Sequence, residues 1–296
     1  NTWDTFSVFS HVLLPEAIGL KLTFRDGVRN KTLRDGYIGH YPHSVGPDTD
    51  TCLPGPRSWD GRYTQLDVTW RDLEFTVESA TDGDDLVLLV TPAPGGDPRG
   101  VVAIEPGVYW GRDAVISREA GRPVLRAPNG REVRIFATGP ADGEPYMRAA
   151  TPYVARTLSE PVAVSTGRPR GLDEVRRIVA ARREDVLAEH ARYGAQEEVY
   201  TAMRTCLAWN TVYDPHRERV ISPVSRVWNT GWGSYVLFCW DTFFAGLMAG
   251  LDHRDLAYAN VIEMVRERTA RGLVPNVASY PERRSYDRSQ PCVGAL

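Results

Sequence analysis

At 296 residues the chain exceeds the usual span of one domain, so two domains are expected. Apolar residues make up 42% and charged residues 25%, an ordinary balance for a globular protein that builds a full core. A formal net charge of −3 argues against nucleic acid or an anionic membrane as the main partner.

No stretch is long and apolar enough to span a bilayer. No signal peptide is visible, but the chain begins at Asn1 without an initiator Met, so the compartment stays open. The cysteines, Cys52, Cys206, Cys239 and Cys292, are far apart, form no CxxC pair and read as buried free thiols. Lys21 and Lys31 are the only lysines, and the Arg excess runs along the whole chain.

Residues 1–169 have the texture of β structure. Short alternating or β-branched runs (QLDVTW, LEFTVES, DLVLLVTP, GVVAIEP, EVRIFATG) are separated by DGDD, PGGD, PNG and ADGE. Strands so spaced, with almost no helical period between them, predict an antiparallel β-sandwich. The pair His40 and His43 in IGHYPHS lacks a third ligand at convincing spacing, so no metal site is assigned.

The texture changes after STGRPRG. Residues 170–195 predict a surface or linker helix, with Leu172, Val175, Val179, Val186 and Leu187 on its apolar stripe and Gly194 as its stop. A second helix, AQEEVYTAMRTCLAWNTVY, carries Val199, Met203, Cys206 and Asn210 on one stripe. A third, CWDTFFAGLMAGL, is apolar on nearly every side and needs other helices around it. A fourth, RDLAYANVIEMVRERTARG, gathers Ala257, Val261, Met264, Val265 and Arg268. Residues 196–296 therefore read as all-α, with too few helices to bury the third. The expectation is that the sequence stops inside a domain, at the opening of a fifth helix.

Asp241 stands out at the start of the third helix, because a carboxylate in such a run is costly unless it is paired, hydrogen-bonded or open to water. It reads either as an N-cap or as a ligand group. Other polar and aromatic residues cluster at the same kind of position: Asn210 and Tyr213 at the close of the second helix, Trp228, Asn229 and Trp232 in the following loop, and Trp240 beside Asp241. Asn276, Arg288 and Gln290 follow the fourth helix. In stacked helical hairpins these connections emerge at one end. Aromatic faces with carboxylate, amide and guanidinium groups suit a sugar. Taken singly, Asn210 reads as a satisfied polar group near a helix end, and Trp228 and Trp232 as packing residues.

CWDTFFAGLMAGL, RGLVPN and SYDRSQPCVGAL, in that order and joined by one helix, resemble the catalytic domain of glycoside hydrolase family 63, in its bacterial branch of α-glucosidases and mannosylglycerate or glucosylglycerate hydrolases. The likeness covers residues 196–296 and is architectural only over residues 1–169. It implies a β-sandwich followed by an (α/α)6 barrel, incomplete here. It also implies an inverting hydrolase of α-glucosidic or related α-glycosidic bonds in small saccharides or glycosides. Asp241 and Trp240 would then hold the sugar, with Arg288, Gln290 and Asn276 as further contacts.

In the family the acid and base carboxylates lie in later motifs and are expected beyond Leu296, so none of these residues is assigned the acid or base role. No cofactor is implied; calcium occurs in some relatives, but no ligand set for it can be placed. Two other classes stay open: a non-catalytic carbohydrate-binding protein, and another sandwich-plus-barrel carbohydrate enzyme, a lyase or a phosphorylase.

Overall fold

A computed structural model describes residues 7–40, 50–142, 151–214, 217–223, 236–279, 283–291 and 293–295. The chain divides into two compact units, Asn1–Glu189 and His190–Leu296.

In the first unit, a five-stranded antiparallel sheet is ordered β1 (Ser10–Leu13), β2 (Ile18–Asp26), β9 (Asp97–Val108) and β14 (Val154–Leu158), with β3 (Lys31–Leu33) also paired to β2. A seven-stranded sheet runs β13 (Phe136–Ala137), β15 (Val162–Ser165), β8 (Asp85–Pro92), β7 (Leu73–Asp82), β6 (Tyr63–Trp70), β5 (Thr51–Arg57) and β4 (Gly39–His40). A three-stranded sheet joins β10 (Val115–Glu119), β11 (Arg122–Arg126) and β12 (Glu132–Arg134).

Alternation explains β7, where Leu73, Phe75 and Val77 are buried while Glu74, Thr76 and Glu78 are not. The tight β6–β7 turn places Arg71 and Asp72 at φ 49° and 65°, the positive pair that a two-residue hairpin of matching twist requires.

Strand β8 is apolar without alternation because both its faces are covered. Val87 and Leu89 pack with Tyr63, Ala80 and Ala163 against Val175, Val179 and Val186 of helix α1 (Leu172–Ala191). The opposite face, with Leu86, Leu88 and Val90, continues into Phe75, whose ring stacks on Phe24 of the five-stranded sheet at 4.2 Å. Spacings of four and seven put the three valines of α1 on one stripe, as the sequence predicts, whereas Leu187 is 40% exposed.

The second unit contains α2 (Glu197–Asn210), the hairpin β16 (Val212–Asp214) and β17 (Arg219–Ile221), and β18 (Val236–Phe238) running straight into α3 (Cys239–Ala249). Helix α4 (Arg254–Arg266) follows, then β19 (Val277–Ser279) and β20 (Arg283–Arg284), which pair with β18 as a three-stranded antiparallel sheet.

The expected fold class, a β-sandwich followed by an incomplete (α/α)6 barrel, is overturned here. Strand dominates, several antiparallel sheets are present, and only four α-helices occur among the described residues. The end of the expected second helix and the segments expected as connections are strands: VYD and RVI alternate buried and outward residues, and VLF pairs with VAS. Nor is α3 surrounded by helices, since Phe244, Leu247 and Leu251 are 41%, 60% and 61% exposed. Its close neighbour is α4: a Cβ added at Gly246 would lie 3.0 Å from Val261 and 3.2 Å from the Ala257 carbonyl.

Two helix faces also differ from expectation. Helix α2 buries Tyr200, Arg204, Leu207 and Ala208, while Val199 and Cys206 are exposed. Helix α4 buries Leu256, Asn260, Glu263 and Met264. Glu263 and Glu267 are drawn inward by Arg219, whose Nη1 lies 3.1 Å from Glu263 and Nη2 2.9 Å from Glu267, with Nε 3.2 Å from Asp214. Arg217 and Arg284 also bind Glu267, the latter at 2.8 Å, and Arg266 binds Glu263 at 2.5 Å. Val212, Ile221, Leu237, Cys239, Met264 and Ala278 form the adjoining apolar cluster.

Candidate carbohydrate site at the start of helix α3

Strand β18 delivers the chain into α3 without a polar cap, because Phe238 occupies the N-cap in an extended conformation and its side chain accepts no hydrogen bond. The first helical N–H groups therefore need partners from elsewhere. The Cys239 N–H donates to the Asn276 carbonyl at 3.1 Å. The Trp240 N–H donates to Oε1 of Gln290 at 2.9 Å, across fifty positions of sequence. The Asn276 N–H in turn donates to the Arg288 carbonyl at 3.1 Å.

Three segments thus converge on the helix start and join Cys239 and Trp240 to Asn276, Arg288 and Gln290, with Asp241 the next residue along the helix. Asp241 is the third helical residue, where the axial dipole favours a carboxylate, and not the N-cap. It is half-buried, and no hydrogen bond or ion pair engages its carboxylate among the described residues. Trp240 is 39% exposed, with its ring 6.5 Å from that of Phe244. Gln290 spends its carbonyl on Trp240 and keeps its amide N–H groups as donors. Arg288 is exposed, and its guanidinium lies 2.7 Å from Asp287. Its backbone is fixed, because its carbonyl also accepts from Ser285 Oγ at 3.1 Å.

Asn210 does not join this group through any described contact; its Nδ2 donates to the Cys206 carbonyl one turn back in α2, at 2.9 Å. Trp228, with Asn229 and Trp232, lies outside the described residues. Beside α2, the Tyr200 hydroxyl bonds Asp252, and burial together with that acid holds the phenol well above its ordinary range. Sequence reading missed the capping role of Gln290, for which no local signal exists.

It also missed an apolar groove of about 510 Å3 between α3 and α4, lined by Phe243, Leu247, Tyr258 and Val261 among others. Among the described residues no group of three or more His, Cys, Asp or Glu is placed to hold a metal ion, and no helix is long and apolar enough to cross a membrane.

No family model matches the chain, and no curated protein matches it.

Proposed function

We propose that the chain holds a sugar at the start of α3, as the substrate-binding part of a glycoside hydrolase acting with inversion on α-glucosidic or related α-glycosidic bonds. What supports this reading is one observation: Asp241, half-buried and without a protein partner among the described residues, follows the exposed Trp240, whose N–H is capped by the Gln290 side chain. A carboxylate so placed accepts hydrogen bonds from two adjacent hydroxyls, an indole face takes the flat C–H side of a pyranose, and an amide donates to a third hydroxyl.

The reading rests on the site and on the resemblance of its motifs, and needs no barrel. Inversion requires two carboxyl groups roughly 6.5–9.5 Å apart, one protonating the leaving oxygen and one activating water. Asp241 serves here as a substrate-holding group and takes neither part.

The test is a calorimetric titration with maltose and glucose, alongside hydrolysis of an aryl α-glucoside. Saturable sugar binding that Asp241→Asn weakens by roughly tenfold or more, with an unchanged melting temperature, is the expected result. Binding with turnover supports the hydrolase. Binding without turnover supports the second reading, a non-catalytic carbohydrate-binding protein. Absence of sugar binding overturns both.

A further inference from the structure

The first unit contains a cleft of about 620 Å3, within the size range of small-molecule sites, whose walls come from the β10–β11 hairpin, from β13 and from β14. Four arginines line it, and their charges are not alike. Arg170 is answered by Asp82 at 2.9 Å and Asp85 at 2.7 Å. Arg118, Arg122 and Arg156 have no carboxylate within ion-pair distance among the described residues.

Each of these three is nevertheless held in place. Arg118 donates to the carbonyls of Gly121 at 3.0 Å and Tyr153 at 3.3 Å. The Arg122 guanidinium lies 5.1 Å from the centre of the Phe136 ring. Arg156 donates from Nη1 to the Ala155 carbonyl at 2.8 Å and from Nη2 to the Ala137 carbonyl at 3.1 Å. Its Nε is buried and has no acceptor among the described residues. Burial without a counter-charge lowers the pKa of Arg156 from its ordinary value, the sign of a cation awaiting an anion.

Among the described residues Asp142 is the one acid lining the cleft, so the three guanidinium groups outnumber the carboxylates there. A phosphate monoester carries close to two negative charges at neutral pH and three acceptor oxygens, and the planar fork of arginine fits such oxygens two at a time. Phe136 and Tyr153 give the body of the ligand an aromatic wall.

We propose that this cleft binds a small organic phosphate, whose phosphoryl group is received by Arg118, Arg122 and Arg156. The site belongs to the first unit and does not rest on the sugar-binding reading.

The experiment is a titration of the full chain with phenyl phosphate, inorganic phosphate and benzoate, at ionic strength held constant with chloride. Saturable binding of phenyl phosphate is expected, weakened roughly tenfold to a hundredfold in Arg122→Gln and in Arg118→Gln and unchanged in Arg62→Gln. Arg118 and Arg122 are exposed, so both variants are expected to keep the parent melting temperature even if the half-buried Arg156→Gln unfolds. Inorganic phosphate binding as tightly as the ester would identify free phosphate as the ligand and support the same chemistry. Benzoate binding as tightly as phenyl phosphate, equal weakening in Arg62→Gln, or no saturable binding overturns the proposal.

Discussion

The interiors of the two units are built on different terms. In the first, the covered faces of β8 and its neighbours are mostly apolar, with the buried hydroxyls of Thr64 and Ser79 bonded to each other; Asp26, Arg57 and Arg170 enter at the ends of elements, and His11 and Glu105 lie inside strands. In the second, the inward face of α4 carries Asn260, Glu263 and Glu267, gathered around Arg219, which is almost wholly shielded from water. The first interior is non-directional and tolerates apolar exchange of similar volume. The second depends on every partner being present, because one missing member leaves the others charged and dry.

The sharpest way to break that comparison is Arg219→Met. It takes the shared cation away from Asp214, Glu263 and Glu267, leaving Glu263 with Arg266 and Glu267 with Arg217 and Arg284, and a loss of about 3–5 kcal/mol is expected, read by denaturant unfolding of the second unit. A loss below about 1 kcal/mol would show that water and Arg284 suffice for these acids.

The matching change in the first unit, Leu88→Ala, removes a fully buried side chain from β8 and is expected to cost about 3 kcal/mol, independent of salt. Recovery of the Arg219 variant, but not of the Leu88 variant, when Glu263 and Glu267 are replaced by apolar residues would sharpen the contrast.

Acid probes the first interior through a single buried imidazole. Burial lowers the pKa of His11 to about 3, so the folded first unit keeps this imidazole neutral. The unfolded chain takes up a proton near pH 6.5, and this contribution to stability is whole above that pH and is lost as the pH falls toward 3. By pH 5 the loss is about 2 kcal/mol, measurable as a falling unfolding midpoint, and His11→Gln is expected to flatten that slope.

The smallest effect is expected at the helix start. Gln290→Ala removes the acceptor for the Trp240 N–H and is expected to cost about 1 kcal/mol, with faster hydrogen exchange at that amide. Unchanged exchange at Trp240 would mean that water replaces the side chain fully.

Much of the first unit is legible in sequence because its rules are local. QLDVTW and LEFTVES alternate, DLVLLV does not because it is covered twice, and the valines of α1 keep helical spacing on one stripe. The second unit defeats the same reasoning. Apolar periodicity selects Val199, Met203 and Cys206 on α2, yet the buried stripe runs through Tyr200 and Arg204, which meet Asp252 from beyond α3. On α4 the buried polar residues shift the inward face away from Val261 and Val265, toward Asn260 and Glu263. The barrel expectation failed for a related reason: VYD and RVI form a local hairpin where a helix end and a loop are expected, and VLF pairs with VAS some forty positions on.

What motif order carried is proximity of segments: the Trp240 N–H meets Gln290, the Cys239 N–H meets the Asn276 carbonyl, and the Asn276 N–H meets the Arg288 carbonyl. Its geometry was not, because the bond between residues 240 and 290 leaves no local trace.

Glu267 grips Arg284 two ways, with 2.8 Å to Nη2 and 2.9 Å to Nε, at the root of the segment that leads to Arg288 and Gln290. That segment therefore leaves the body of the unit from an anchored stem and is pinned again at its far side by Gln290. Between the two fastenings, residues 285–289 are tied down as well, Ser285 to Val277 and the Arg288 carbonyl to Asn276, so the segment is a braced strap in which only outward side chains such as those of Tyr286 and Ser289 are free to vary.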